Sequence, residues 1–74
     1  MSSKTNTYDV IVRAAESVVV EAGASHMTLD AVATKAGVSK GGLLHHFPTK
    51  MALIEAMINR LIEARRELRK EIWK

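Results

Sequence analysis

The sequence predicts an all-α fold, three helices closed around one small core and a longer fourth helix after them. Three observations carry this reading. Apolar residues recur at helical spacing along nearly the whole chain, Gly23 and Gly37 stand where periodic segments stop, and Asn or Thr or Ser precedes each segment as a cap. No cysteine is present, so the core must come from apolar packing alone, in a reducing and therefore cytosolic setting. A chain of 74 residues buries only a little over half of its unfolded surface, which predicts modest stability.

Residues 1–5 read as a flexible start, with Lys4 as a mobile basic arm and Asn6 or Thr7 as the first cap. The first helix follows to Gly23. Ile11, Ala14, Ala15, Val18, Val19 and Ala22 make its core-facing stripe, leaving Arg13, Glu16 and Glu21 outside. The run Val18-Val19-Val20 has strand propensity, but a lone strand in a helical chain would have nothing to pair with. Ala24 to Met27 read as a short loop. Thr28 then caps a second helix over about Leu29 to Ala36, whose apolar face is Leu29, Val32, Ala33 and Ala36. Gly37 suits the left-handed residue that ends it, and Val38 can fold back onto the helix. Ser39 caps a third helix, about Lys40 to His46, anchored by Leu43 and Phe47. Neither short helix would persist alone in water, so packing must hold both. Pro48-Thr49 closes the third helix and caps a fourth from Lys50 to about Trp73, with Leu53, Ile54, Met57, Leu61, Ala64, Leu68 and Ile72 in one long stripe. Its far half, carrying Leu68, Ile72 and Trp73, has no apolar partner in the sequence. This predicts domain boundaries of 6–60 for the core unit and 61–74 for a distal half-helix leading into a second domain that is absent.

Two short helices joined by a three-to-four-residue turn containing Gly form the DNA-binding helix-turn-helix pattern, in which the second helix enters the major groove. Bulk charge adds little. The net charge of +3 divides unevenly, with four basic and four acidic residues in 1–49 and seven and four in 50–74, so the argument rests on individual cations. Lys40, Gly41 and Gly42 open the recognition helix. Each glycine there costs about 1 kcal/mol of helix propensity relative to Ala, and backbone approach to a phosphate or base edge would compensate. Simple fraying of an exposed helix end is the plainer alternative. Lys40 is either a solvated charge or a DNA contact, and the motif favours contact. Lys50 opposes the dipole of its own helix by about 0.3–1 kcal/mol, which a nearby phosphate would reverse. Of the adjacent His45 and His46, one is expected to pack at the base of the third helix and the other to be exposed, with His45 the better DNA contact. His26 reads as a loop residue. The Thr28 and Ser39 hydroxyls can meet phosphates as well as cap.

Other classes find little support. No nucleophile elbow, HExxH, phosphate-binding GxxxxGK loop or isolated carboxylate pair occurs, so no enzyme and no cofactor is expected; adjacent histidines point about 100° apart on a helix and argue against a metal. No uncharged apolar run nears the roughly 20 residues of a bilayer span, and MSSKTNT is too polar for a signal sequence, which predicts a soluble, cytoplasmic protein without membrane contact. The rival from another class is a small helical protein-interaction module that uses the apolar stripe of the last helix.

The segment MTLDAVATKAGVSKGGLLHHFPTKMALIEAMI, Met27 to Ile58, closely resembles the N-terminal DNA-binding domain of the TetR (tetracycline-repressor) family of bacterial transcriptional regulators, above all at AGVSKG and HHFPTK. The likeness spans about residues 7–60. It implies a homeodomain-like helix-turn-helix domain with a fourth helix leading into a C-terminal domain that dimerises and binds a small-molecule effector, and it implies a double-stranded operator as partner and repression as the activity. By position, it implies base or backbone contact from Lys40, Gly41, Gly42 and His45, and phosphate contact from Thr28, Ser39 and Lys50. Three positions depart from the family pattern. Gly42 stands where Thr or Ala is frequent, and Met51 replaces a frequent Glu. Leu44 stands where a Tyr often reaches a phosphate, so its place on the DNA face rests on apolar contact with a thymine methyl, the alternative being a merely exposed apolar residue.

Overall fold

The computed structural model describes the backbone of residues 6–72 and the side chains of residues 6–66. Lys4 and the side chains of Leu68, Ile72 and Trp73 lie outside the described residues. Four α-helices follow one another, α1 (Thr7–Ala22), α2 (Leu29–Ala36), α3 (Lys40–His46) and α4 (Lys50–Ile72), with a 3₁₀ turn (Ala24–His26) between the first two.

Local chemistry fixes each boundary. The Asp9 N–H donates to Asn6 Oδ1 at 2.9 Å, Ala31 to Thr28 Oγ1 at 3.0 Å, Gly42 to Ser39 Oγ at 3.0 Å and Ala52 to Thr49 Oγ1 at 3.0 Å. All four helices thus start on a side-chain oxygen that satisfies a backbone donor three residues on. At the end of α2, Gly37 adopts φ 74°, ψ 29°, while its N–H donates to the Thr34 carbonyl at 3.2 Å and the Val38 N–H donates to the Ala33 carbonyl at 3.1 Å. That pair of bonds is the Schellman arrangement, and Val38 packs back against the core as expected.

The segment after Gly23 is tighter than a plain loop. The His26 N–H donates to the Gly23 carbonyl and the Met27 N–H to that of Ala24, and the resulting turn drives Met27 into the core, where it is 3% exposed. Met27 shares one buried cluster with Ile11, Val12, Ala14, Ala15 and Val18 of α1, Val32 and Ala33 of α2, Leu43 and Phe47 at α3, and Leu53 and Ala56 of α4. Burial of Leu43 and of Leu53, both wholly shielded, contributes about 1.5–3 kcal/mol each, and this is what retains a seven-residue α3 that has no stability of its own. Alanines at 14, 15 and 33 let α1 and α2 approach closely.

Among the described residues three ion pairs lie outside this core. Lys35 Nζ meets Glu21 Oε1 at 3.0 Å across α2 and α1, Lys40 Nζ meets Asp30 Oδ1 at 3.1 Å across α3 and α2, and Arg60 Nε meets Glu16 Oε2 at 2.9 Å across α4 and α1. All are at least partly solvated, and such pairs contribute about 0–1 kcal/mol each. Among the described residues the stripe of α4 past Met57 is uncovered: Leu61 is 68% exposed and Ala64 is exposed, with Ile58 and Ile62 exposed beside them. Ala22, expected on the buried stripe of α1, is also exposed. Among the described residues no helix is long and apolar enough to cross a membrane.

Candidate nucleic-acid interface

Helix α3 has two faces because its core anchors are four residues apart. Leu43 and Phe47 point inward, so Lys40, Gly41, His45 and His46 are left in solvent, with Gly42 and Leu44 half-buried at the flanks. The remaining candidates surround this face at helix starts. Thr28 caps α2, Ser39 caps α3, and Lys50 lies in the first turn of α4; all three are exposed. Thr28 and Ser39 use their oxygens as acceptors for the capping bonds, which leaves each hydroxyl proton free to donate to an external oxygen.

The two glycines at the start of α3 differ in what they do. A Cβ at Gly42 would stand 3.2 Å from Ser39 Oγ, so glycine there leaves room for the cap. A Cβ at Gly41 would meet nothing within 4 Å. An alanine would fit at position 41 and favour the helix by about 0.5–1 kcal/mol, so nothing inside the fold accounts for its absence. Lys50 contrasts with Lys40 in a similar way. Among the described residues no carboxylate pairs with Lys50, whereas Lys40 is held by Asp30.

The exposed His45 fits the expected division of labour, and the packed partner expected beside it is not found. Neither is buried; the rings lie 5.3 Å apart and nearly perpendicular. The inward positions of α3 are taken by Leu43 and Phe47, and His46 instead stands edge-on to Tyr8, 6.4 Å away, while Tyr8 lies over Phe47 at 4.9 Å. Leu44 is half-buried against the core, so only part of its side chain is available outward. The pairing of Asp30 with Lys40 and the approach of Tyr8 to the end of α3 were absent from the sequence reading. The signal for the first was an acid and a base in the first turns of two successive short helices; Tyr8, 38 positions before His46, gave none.

A stretch of 47 residues, 11–57, matches the sequence pattern of the family described as bacterial regulatory proteins, tetR family. The chain belongs to this family. All eight candidate contact residues, from Thr28 to Lys50, fall inside the match. A relative, the HTH-type transcriptional repressor BepR of Brucella suis biovar 1 (strain 1330), is 37% identical over 54 residues, which cover 73% of this chain and 26% of that protein. The chain therefore spans about a quarter of the length of this curated relative. No solved structure matches it.

Proposed function

We propose that this chain is the DNA-binding domain of a transcriptional regulator, a ligand-responsive repressor of the TetR type acting in the bacterial cytoplasm. In this reading Lys40 to His46 lie in the major groove, Lys40, Gly41, Gly42 and His45 contact bases or backbone, and Thr28, Ser39 and Lys50 contact phosphates. Leu44 contributes at most an apolar contact to a thymine methyl. The observation that carries the reading is Gly41, a helical position with open space around it where an alanine would stabilise the fold. A surface that must approach another backbone explains that choice. Dimerisation and effector binding are assigned to a second domain; the repressor matched above, of which 54 aligned residues make up 26%, is nearly three times as long as this chain. The activity is binding rather than catalysis.

The exposed Ile58, Leu61 and Ile62 favour a second reading, a helical protein-interaction module. The two separate by titration. Duplexes selected from random DNA are offered to this chain with one half-site or with two, and the mass is followed by sedimentation. A single helix-turn-helix lacks the gain from two half-sites about 34–36 Å apart, so binding is expected in the non-specific range of about 10⁻⁴–10⁻⁶ M, tightening steeply as salt falls. Nanomolar binding of the double site by a preformed dimer contradicts the one-module picture, and no binding of any duplex at low salt leaves the interaction module as the surviving reading.

A further inference from the structure

Asp30 occupies the first turn of α2, where the helix dipole favours a carboxylate, and its Oδ1 lies 3.1 Å from Lys40 Nζ. Of the three ion pairs among the described residues only this one takes up a cation from the proposed DNA face; Lys35–Glu21 and Arg60–Glu16 tie α2 and α4 to α1. The side chains of Lys40 and Asp30 are 53% and 74% exposed, so their attraction adds little to the fold. Its consequence lies at the surface. An acid placed against the leading cation of a surface meant for a polyanion lowers the affinity of that surface for any duplex.

We propose that Asp30 is a specificity-determining residue, which keeps Lys40 from phosphates and leaves it available to uncharged acceptors on base edges. The proposal rests on the DNA-binding reading. A phosphate that takes Lys40 must displace the carboxylate and leave Asp30 facing the backbone as an unpaired like charge. The O6 and N7 acceptors of guanine carry no such charge. Lys40 has three N–H donors, and it can give one to a guanine acceptor while another stays on Asp30. The pair thus penalises the contact available on every sequence and spares the contact available on some, which is discrimination by a repulsive element.

The test is Asp30→Asn, which removes the charge and keeps the shape, in this chain titrated against labelled random-sequence duplex between about 50 and 200 mM salt. Freeing Lys40 for one further phosphate should tighten binding at low salt and steepen the slope of log K against log salt by about 0.9, so that a fourfold rise in salt costs the variant about 3.5-fold more affinity than the parent. Asp30→Glu should restore the parent slope. On a Lys40→Ala background, Asp30→Asn should leave the slope unchanged. A purely structural Asp30 would move the melting temperature and not the slope. An unchanged slope in a chain that still binds duplex, or a steepening that persists without Lys40, overturns the proposal alone. A parent that binds no duplex at 50 mM salt overturns the DNA-binding reading and this proposal with it.

Discussion

Gly37 and Gly41, four residues apart, should respond to side chains with opposite sign. At Gly37 the backbone is left-handed, φ 74° and ψ 29°, and a Cβ would meet nothing within 4 Å. Any loss on substitution is therefore backbone strain without a clash. For a β-branched residue held in this region we expect about 1–3 kcal/mol, because the alternative is to release the two bonds from the Gly37 and Val38 N–H groups that close α2. In a domain of this size 1 kcal/mol corresponds to about 4–8 °C, so a Gly37→Val loss of about 2 kcal/mol lowers the melting temperature by roughly 8–16 °C. Gly37→Asn should recover part of it, since Asn tolerates the left-handed conformation. Gly41 is helical with equally open surroundings, and there Gly41→Ala should raise stability by about 0.5–1 kcal/mol, or roughly 2–8 °C. Thermal melting by circular dichroism on the parent and three variants reads all of this at once. A Gly37→Val protein that melts with the parent would refute the turn geometry. A Gly41→Ala protein that is stabilised yet binds duplex as tightly as the parent would remove the functional reason offered for that glycine.

Two further perturbations separate surface from core. Lys50→Ala should weaken binding to all duplexes by a similar factor and reduce the salt slope by about one unit, and an unchanged slope in the same titration would mean that Lys50 meets no phosphate. Leu43→Ala, at a wholly buried position, should cost about 2–5 kcal/mol and release α3; a melting temperature within a few degrees of the parent would show that the anchor is elsewhere.

Helix boundaries were legible because their code is local. Asn6, Thr28, Ser39 and Thr49 each bond a donor three residues on, and Gly37 supplies a conformation that its neighbours cannot. Burial was legible only in part. Periodicity marks one stripe on α1, but α2 and α4 both pack against this helix, so its buried arc widens to include Val12, while the end of the stripe at Ala22 runs out of neighbours. Met27 read as loop because nothing in its own segment reveals a turn folding underneath α1. The expectation of a packed histidine failed for a related reason. Adjacent residues compete for one inward direction, and Leu43 and Phe47, spaced four apart, had already taken it.

Six of the eight proposed contacts, all but Leu44 and His45, share a property that explains why composition gave so little warning of them. Thr28 stands at the start of α2, Ser39 to Gly42 at the start of α3 and Lys50 at the start of α4. Helix starts carry partial positive charge and unpaired N–H groups without adding to the formal charge, so residues 1–49 can balance four bases with four acids and still offer a surface that suits phosphate oxygens. The same economy accounts for the acid at position 30. A face that draws anions through backbone dipoles can tolerate a carboxylate beside Lys40, whereas a face relying on cations alone would lose most of its attraction. If dipoles supply part of the attraction, the salt slope of the parent chain, though steep, should fall below what its number of phosphate contacts would give, since a neutral N–H bonded to a phosphate neutralises no charge and releases no counterion from the DNA.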